Sequence, residues 1–191
     1  MLKENYKKKV IPEMKKDFGY KNDLSIPRIE KVIINTGIGK ILSNIDPSNR
    51  NKVIENIVSE MSLIAGQKPI LTESKKAVAG FKTREGSPVG LKVTLRGERM
   101  IDFLDRLFNI VIPRMRDFRG IKEKSIDEGG NLTIGIKEHI IFPEIAPEKA
   151  KNIFGLEVTI VINAKKRKEA VNLFKLLEIP LAPGEKNKFI D

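Results

Sequence analysis

Residues 91–96, Leu-Lys-Val-Thr-Leu-Arg, alternate apolar and polar without a break. Side chains of a β-strand point to opposite faces in turn, so Leu91, Val93 and Leu95 share one side and Lys92, Thr94 and Arg96 the other. The same pattern recurs twice. In 131–137, Leu132, Ile134 and Ile136 oppose Asn131, Thr133 and Lys137. In 156–163, Leu156, Val158, Ile160 and Ile162 oppose Glu157, Thr159 and Asn163. A sheet built from such strands has one side for packed helices and one side left to solvent. The open side carries hydroxyls, amides and the cations of 91–96. In the short β-branched run 28–36, Lys31 and Asn35 have the parity to join it, with Ile33 between them.

The rest of the chain supplies the helices. Leu2, Tyr6, Val10, Met14 and Phe18 recur every four residues and predict a helix over 2–18, kinked or split by Pro12. Val53, Ile57, Met61 and Ile64 predict another, capped by Asp46 or Ser48 and stopped at Gly66. Residues 98–112 form a third, ended by Pro113, and 166–178 a last one, with Val171, Phe174 and Leu177 on one side. Strands are predicted at 28–36, in Lys-Pro-Ile-Leu-Thr-Glu-Ser (68–74), and at 89–97, 131–137 and 156–164. The order is a helix, then β-α-β-β-α-β, then β-α. The fold class is therefore α+β: an antiparallel-rich sheet with helices packed on one face and a split β-α-β (ferredoxin-like) core. At 191 residues the chain fits one domain. Its parts are the N-terminal helix 2–18, the core 28–137, the C-terminal strand and helix 154–178 and the tail 179–191.

Charge narrows the function. The net charge is +11, a field that attracts polyanions. From Lys75 to Lys122 there are twelve cations against five anions. They concentrate in the loop 75–88, in the strand after it, and in Pro-Arg-Met-Arg-Asp-Phe-Arg-Gly (113–120). Arginine forks match phosphate oxygens and stack on bases. The strands lack the aromatics of single-strand readers, so a folded RNA docked by shape fits the open face better than a splayed strand.

Enzyme classes fall away on the same residues. Gly-Ile-Gly-Lys (37–40) lacks the spacing of a phosphate loop and reads as a turn. His139 is the single histidine and there is no cysteine, so a usual zinc site cannot nucleate and none is expected. No nucleophile elbow exists, and Asp102 and Asp105 sit among arginines as solvated ion pairs. No cofactor is expected. No apolar run has the length of a membrane span and the N-terminus lacks a signal-peptide core, so no membrane partner and a cytoplasmic location are expected. The basic N-terminal helix leaves a membrane-surface reading formally open.

Several stretches, in order, carry a family resemblance: 28–39, Gly-Gln-Lys-Pro (66–69), 79–107, 113–120, 130–145 and 156–164. Together they resemble large-subunit ribosomal protein number five, the bacterial-type family that binds 5S ribosomal RNA. The resemblance implies a structural ribosomal protein, not an enzyme, on the ribosome in the central protuberance. It implies 5S rRNA, large-subunit rRNA, the P-site tRNA, the small-subunit head protein number thirteen and other central-protuberance proteins as partners. Carried over by motif, Asn35, Gln67, Lys92, Thr94 and Arg96, with Lys8 and Lys15 of the N-terminal helix, hold 5S rRNA. The loop with Lys75, Lys76, Gly80, Phe81, Lys82 and Arg84 reaches toward tRNA. Arg114, Arg116 and Arg119 contact large-subunit rRNA or the bridge. The chain departs from the family at Ile126–Asn131, at Phe154, in 41–50 and after Pro180. The runner-up is a structured-RNA-binding protein outside the ribosome. The loop is expected to be disordered when free, its backbone donors lacking fixed acceptors.

Overall fold

The computed structural model describes residues 2–182 except Lys82, Asp117 and Lys149, and of Phe81 the backbone alone. Five strands form one sheet: β1 Ile29–Gly37, β2 Ile70–Glu73, β3 Pro88–Leu95, β4 Leu132–Ile136 and β5 Leu156–Ile162. Their order is β2-β3-β1-β5-β4. β3 lies antiparallel between β1 and β2, with Asn35 opposite Lys92 and Ile70 on the other flank of Lys92. Arg28 exchanges hydrogen bonds with Asn163, and the Thr36 hydroxyl donates to the Gly155 carbonyl at 2.7 Å. β1 and β5 therefore run antiparallel. The split β-α-β core is present, with β5 inserted between β1 and β4.

Five helices accompany the sheet. α1 covers 2–18, α2 is the short Gly39–Ser43, α3 is Arg50–Ala65, α4 covers 97–114 and α5 is Arg167–Leu176. Gly-Ile-Gly-Lys, expected as a turn, thus runs into a helix. Neither Asp46 nor Asn49 caps α3 through its side chain; a 3₁₀ turn, Pro47–Asn49, leads into it instead. Gly66 ends α3 in the left-handed region, φ 65°, and its N–H reaches the Ser62 carbonyl.

Two helices carry proline inside, and both solve it alike. Proline has no N–H, and its ring collides with the carbonyl four residues back. In α1 the turn before Pro12 widens to a π-turn, Tyr6–Val10, and the Ile11 N–H bonds Tyr6 five residues back. In α4 the turn before Pro113 widens over Leu107–Val111, and the Ile112 N–H bonds Leu107. Pro113 therefore does not end its helix, which continues through Arg114. The wider turn lets the chain pass proline without breaking.

The chain divides into two compact units. One is built from 1–30, 104–134 and 160–191. Its core includes Val10, Met14, Leu107, Val111, Leu132, Leu173 and Phe174. In it α1 packs on α5, and the Asn172 amide donates to Asp17 at 2.9 Å. Leu181 forms a parallel bridge with Ile121, and the Ala182 N–H donates to the Ile121 carbonyl at 2.8 Å. The tail beyond Ala182 lies outside the described residues. The other unit holds 31–103 and 135–159. There Val32, Ile34, Leu91, Val93 and Leu95 of the sheet and Ile57, Met61 and Ile64 of α3 are buried, α3 packs on β3, and Phe103 stacks on Phe142 at 6.2 Å.

Two glycines test this packing. Gly120 has φ 95°, and a Cβ there would meet Ala182 Cα at 2.7 Å. Gly135, on the exposed side of β4, has open space around it. Gly120→Ala is expected to lose about 2–3 kcal/mol through backbone strain and collision. Gly135→Ala should be neutral or about 0.5 kcal/mol stabilising. Thermal melts check this; equal melting temperatures for the two variants would contradict the bridge at Ile121.

Candidate RNA-binding face

Burial along the strands alternates as parity requires. On β3, Leu91, Val93 and Leu95 are buried, Lys92 is exposed and Thr94 half-buried. On β1, Val32, Ile34 and Thr36 are buried and Asn35 and Gly37 exposed. On β5, Leu156, Val158, Ile160 and Ile162 are buried while Glu157 is exposed and Thr159 half-buried. On the side bearing Lys92, Asn35, Lys92 and Glu157 are exposed and Ile33, Thr94 and Thr159 half-buried.

The register gathers the predicted residues. Ile70, Lys92 and Asn35 form one row across β2, β3 and β1, and Thr94 stands opposite Ile33 in the next. A third row runs Thr72, Gly90, Gly37. Gly90 is needed there: a Cβ would sit 2.8 Å from both the Thr36 carbonyl and the Thr72 hydroxyl. Arg96 is exposed one residue beyond β3 on the same parity, and no ion pair among the described residues engages Lys92 or Arg96. Gln67 is half-buried in the turn that follows Gly66 and leads into β2.

The sequence reading placed Ile33 between Lys31 and Asn35 on this face but missed Ile70. Ile70 is 74% exposed, and Ile33 is half-buried in the middle. A simple count along the hairpin would not have found Ile70, because the register shifts between Thr72 and Glu73: continuing the Val78–Thr83 and Glu73–Pro88 pairing would put it opposite Leu91 rather than Lys92. Glu157 adds an anion on β5. The face is thus a mixed surface with a small greasy floor, suited to ribose and base edges as well as phosphates.

The loop between β2 and β3 closes on itself. Ser74 and Ser87 pair at its root, and Val78 and Thr83 exchange two backbone bonds of 3.0 and 3.2 Å. The N–H groups of Ser74, Val78, Thr83, Gly86 and Ser87 therefore have acceptors within the loop, where the sequence led to the expectation of none fixed. Lys75, Lys76, Gly80 and Arg84 are exposed. Lys82 and the Phe81 side chain lie outside the described residues. A cleft of about 800 Å³ separates the loop from α2, lined by Lys40, Ser43, Asn44, Ser74 and Thr83 among others.

The remaining predicted cations sit in the unit that holds α1. Lys8 is exposed and 3.5 Å from Glu4, and Lys15 pairs with Asp23. Such exposed pairs are worth little and exchange readily for a phosphate. Arg114, Arg116 and Arg119 are exposed on the last residue of α4 and the connection after it.

His139 belongs to the core. It is fully buried, stacks on Phe154 at 3.9 Å, and accepts the Phe154 N–H at Nδ1. Its proton is thereby left on Nε2, 3.2 Å from Glu60 Oε2 but poorly aligned with it. Among the described residues no three acidic or imidazole groups converge as metal ligands, and no helix is long and apolar enough to cross a membrane.

The fold is α+β with an exposed polar row on β1 and β3, and comparison with known proteins gives its class, the ribosomal proteins. Two family models match, "Ribosomal protein L5" over 22–84 and the model of that family's C-terminus over 88–181. The chain belongs to the ribosomal protein L5 family. It is 48% identical over 179 residues to the large ribosomal subunit protein uL5 of Geotalea daltonii, covering 94% of this chain and 97% of that one. The uL5 of Kosmotoga olearia is 52% identical over 179 residues, with 94% of each chain covered. That of a Thermoanaerobacter species is 48% identical over 181 residues, covering 95% and 98%.

Burial holds the His139 pKa below its ordinary 6.5 and pushes that of Glu60 up. The two act oppositely on stability. The neutral imidazole stabilises fully above pH 6.5, and that contribution is lost as pH falls below it. The protonated Glu60 stabilises at acid pH, and its contribution is lost as pH rises through its raised pKa. Removing the imidazole should therefore remove the acid-side loss. In His139→Gln, the melting temperature should fall less than in wild type between pH 6.5 and 5, whatever its absolute value. Parallel pH profiles would contradict the burial argument.

Proposed function

We propose that this chain is a structural, non-catalytic constituent of the large ribosomal subunit that docks folded 5S rRNA on the open side of its sheet. The observation that carries the reading is the Ile70–Lys92–Asn35 row, all three residues exposed, with Thr94 and Arg96 on the same side of β3 and Gln67 in the turn before β2. A cation, an amide and a hydroxyl at cross-strand spacing can take a phosphate, a base edge and a 2′-hydroxyl of one shallow RNA groove. Family membership supports the ribosome as the setting, in the cytoplasm, with large-subunit rRNA as the wider partner.

Finer roles follow from the same frame. The 74–87 hairpin, with Lys75, Lys76 and Arg84 outward, is a cationic finger directed at the P-site tRNA. Lys8 and Lys15 of α1 add phosphate contacts. Arg114, Arg116 and Arg119 serve large-subunit rRNA or the bridge to the small-subunit head protein number thirteen. The central protuberance is the location these partners share.

Filter binding to 5S rRNA tests the docking face. With about five phosphates neutralised, log affinity should fall with log salt at a slope of about −4. Lys92→Ala should flatten that slope by about one. Asn35→Ala and Thr94→Ala should each weaken binding by about 1 kcal/mol and leave the slope alone. Affinity unchanged in both, or equal affinity for an arbitrary tRNA, would refute the assignment of this face.

A further inference from the structure

Residues 165–168, Lys-Lys-Arg-Lys, are four cations in succession at the start of α5, and all four are exposed. The carboxylate that follows them is withdrawn from the surface. Glu169 is 8% exposed, accepts the Lys165 N–H at 3.2 Å, and is hydrogen-bonded to Tyr20. Among the described residues no ion pair engages the side chains of Lys165, Lys166 or Lys168. The run is therefore a positive surface without local neutralisation.

A groove of about 530 Å³ opens beside it, within the same compact unit. Phe18, the last residue of α1, lines it together with Arg167, Lys168, Val171 and Lys175. The Phe18 ring is 37% exposed and tilted at 6.3 Å from Tyr20. Arg167 is held in place, its guanidinium donating to the carbonyls of Glu123 at 2.8 Å and Ile126 at 3.3 Å. A fixed guanidinium loses little further freedom when it meets a partner. The groove's one anionic lining residue, Glu123, stands 3.8 Å from Lys175.

A charge run on a solvated helix needs no aromatic beside it. Here an open ring, an immobilised arginine and the unpaired Lys168 line one groove, and the unpaired Lys165 and Lys166 directly precede Arg167 in the chain. We propose that this groove is a second RNA-binding site, separate from the residues of the open sheet face, and that it takes an unpaired RNA stretch. One base lies against Phe18, and successive phosphates lie along Lys165, Lys166 and Lys168. Stacking is sequence-tolerant because every base has a π-face, and the cations follow the backbone. An acidic peptide would satisfy the lysines but leave the Phe18 ring without a use.

The test uses the full chain and a twelve-nucleotide oligouridine with one central 4-thiouridine. Near-ultraviolet irradiation followed by mass spectrometry should place an adduct on the peptide containing Phe18 or on 165–175. Lys92→Ala should leave that adduct in place, which separates this site from the sheet face. Fluorescence anisotropy should show Lys165→Ala/Lys166→Ala/Lys168→Ala binding the oligouridine about tenfold more weakly. Its log–log salt slope should be shallower by about two, from three contacts at about 0.7 each. Phe18→Ala should lose the adduct and about tenfold in affinity with the slope unchanged. The melt of the lysine variant should match wild type, since its side chains are exposed, and Phe18→Ala, which loses some packing, should still be folded at the assay temperature. Adducts confined to 70–96, or a triple variant with wild-type affinity and slope, would overturn the proposal. So would a hexaglutamate peptide that displaces the oligouridine equally well from wild type and Phe18→Ala, which would assign the groove to an acidic protein instead.

Discussion

Packing on one side only of the sheet is the constraint from which the rest of the structure follows. Burying a side chain such as Leu91 or Ile34 is worth about 2 kcal/mol, and the strands hold such residues on a single parity. The core drives helices to that side, and the opposite parity, polar apart from a few residues such as Ile33 and Ile70, offers a helix little to bury. Lys92 and Asn35 are thereby fixed as cross-strand partners in solvent. A one-residue slip of β3 would turn Lys92 inward and Leu91 outward, so the same burial that stabilises the sheet also sets the register of the face proposed for RNA.

That arrangement has a cost in geometry, met at particular places. Pro12 and Pro113 lie inside helices that supply core residues, and a widened turn before each keeps Val10, Met14, Leu107 and Val111 in place. Gly90 lets three strands close up beneath the Thr72 hydroxyl. Gly120 lets the C-terminal segment bridge Ile121 and so tie down the connection that carries Arg116 and Arg119. His139 and Glu60 show the reverse. A buried imidazole and a half-buried carboxylate meet with imperfect alignment, and desolvation moves their pKa values in opposite directions.

Much of this was legible in the residues, and the limits were physical. The parity of 91–96, 131–137 and 156–163 gave the open side because alternation is a local property of a strand. Gly66 marked the end of α3 because a left-handed residue leaves a sequence trace. The position of β5 between β1 and β4 left none, since strand order depends on non-local pairing. Pro113 misled because a π-turn can absorb a proline that would otherwise stop a helix. Four residues of β2 were too few to show a parity, so Ile70 was not seen to join the face. The 74–87 hairpin read as open because a two-residue bridge such as Val78–Thr83 has no composition of its own. The charge count over 75–122 drew attention from Lys165–Lys168, whose meaning depends on Phe18, nearly 150 residues away in sequence.

Hydroxyl-radical oxidation of the protein, free and bound to 5S rRNA, tests the central claim most directly, because isoleucine side chains stand on both sides of the sheet. Ile70 and Ile33 should oxidise in the free protein and be protected in the complex, while Ile57 and Ile64, buried in the free protein, should be unreactive in both. Undiminished oxidation of Ile70 and Ile33 in a saturated complex would show that RNA does not lie on the open side, and the account built on it would fall.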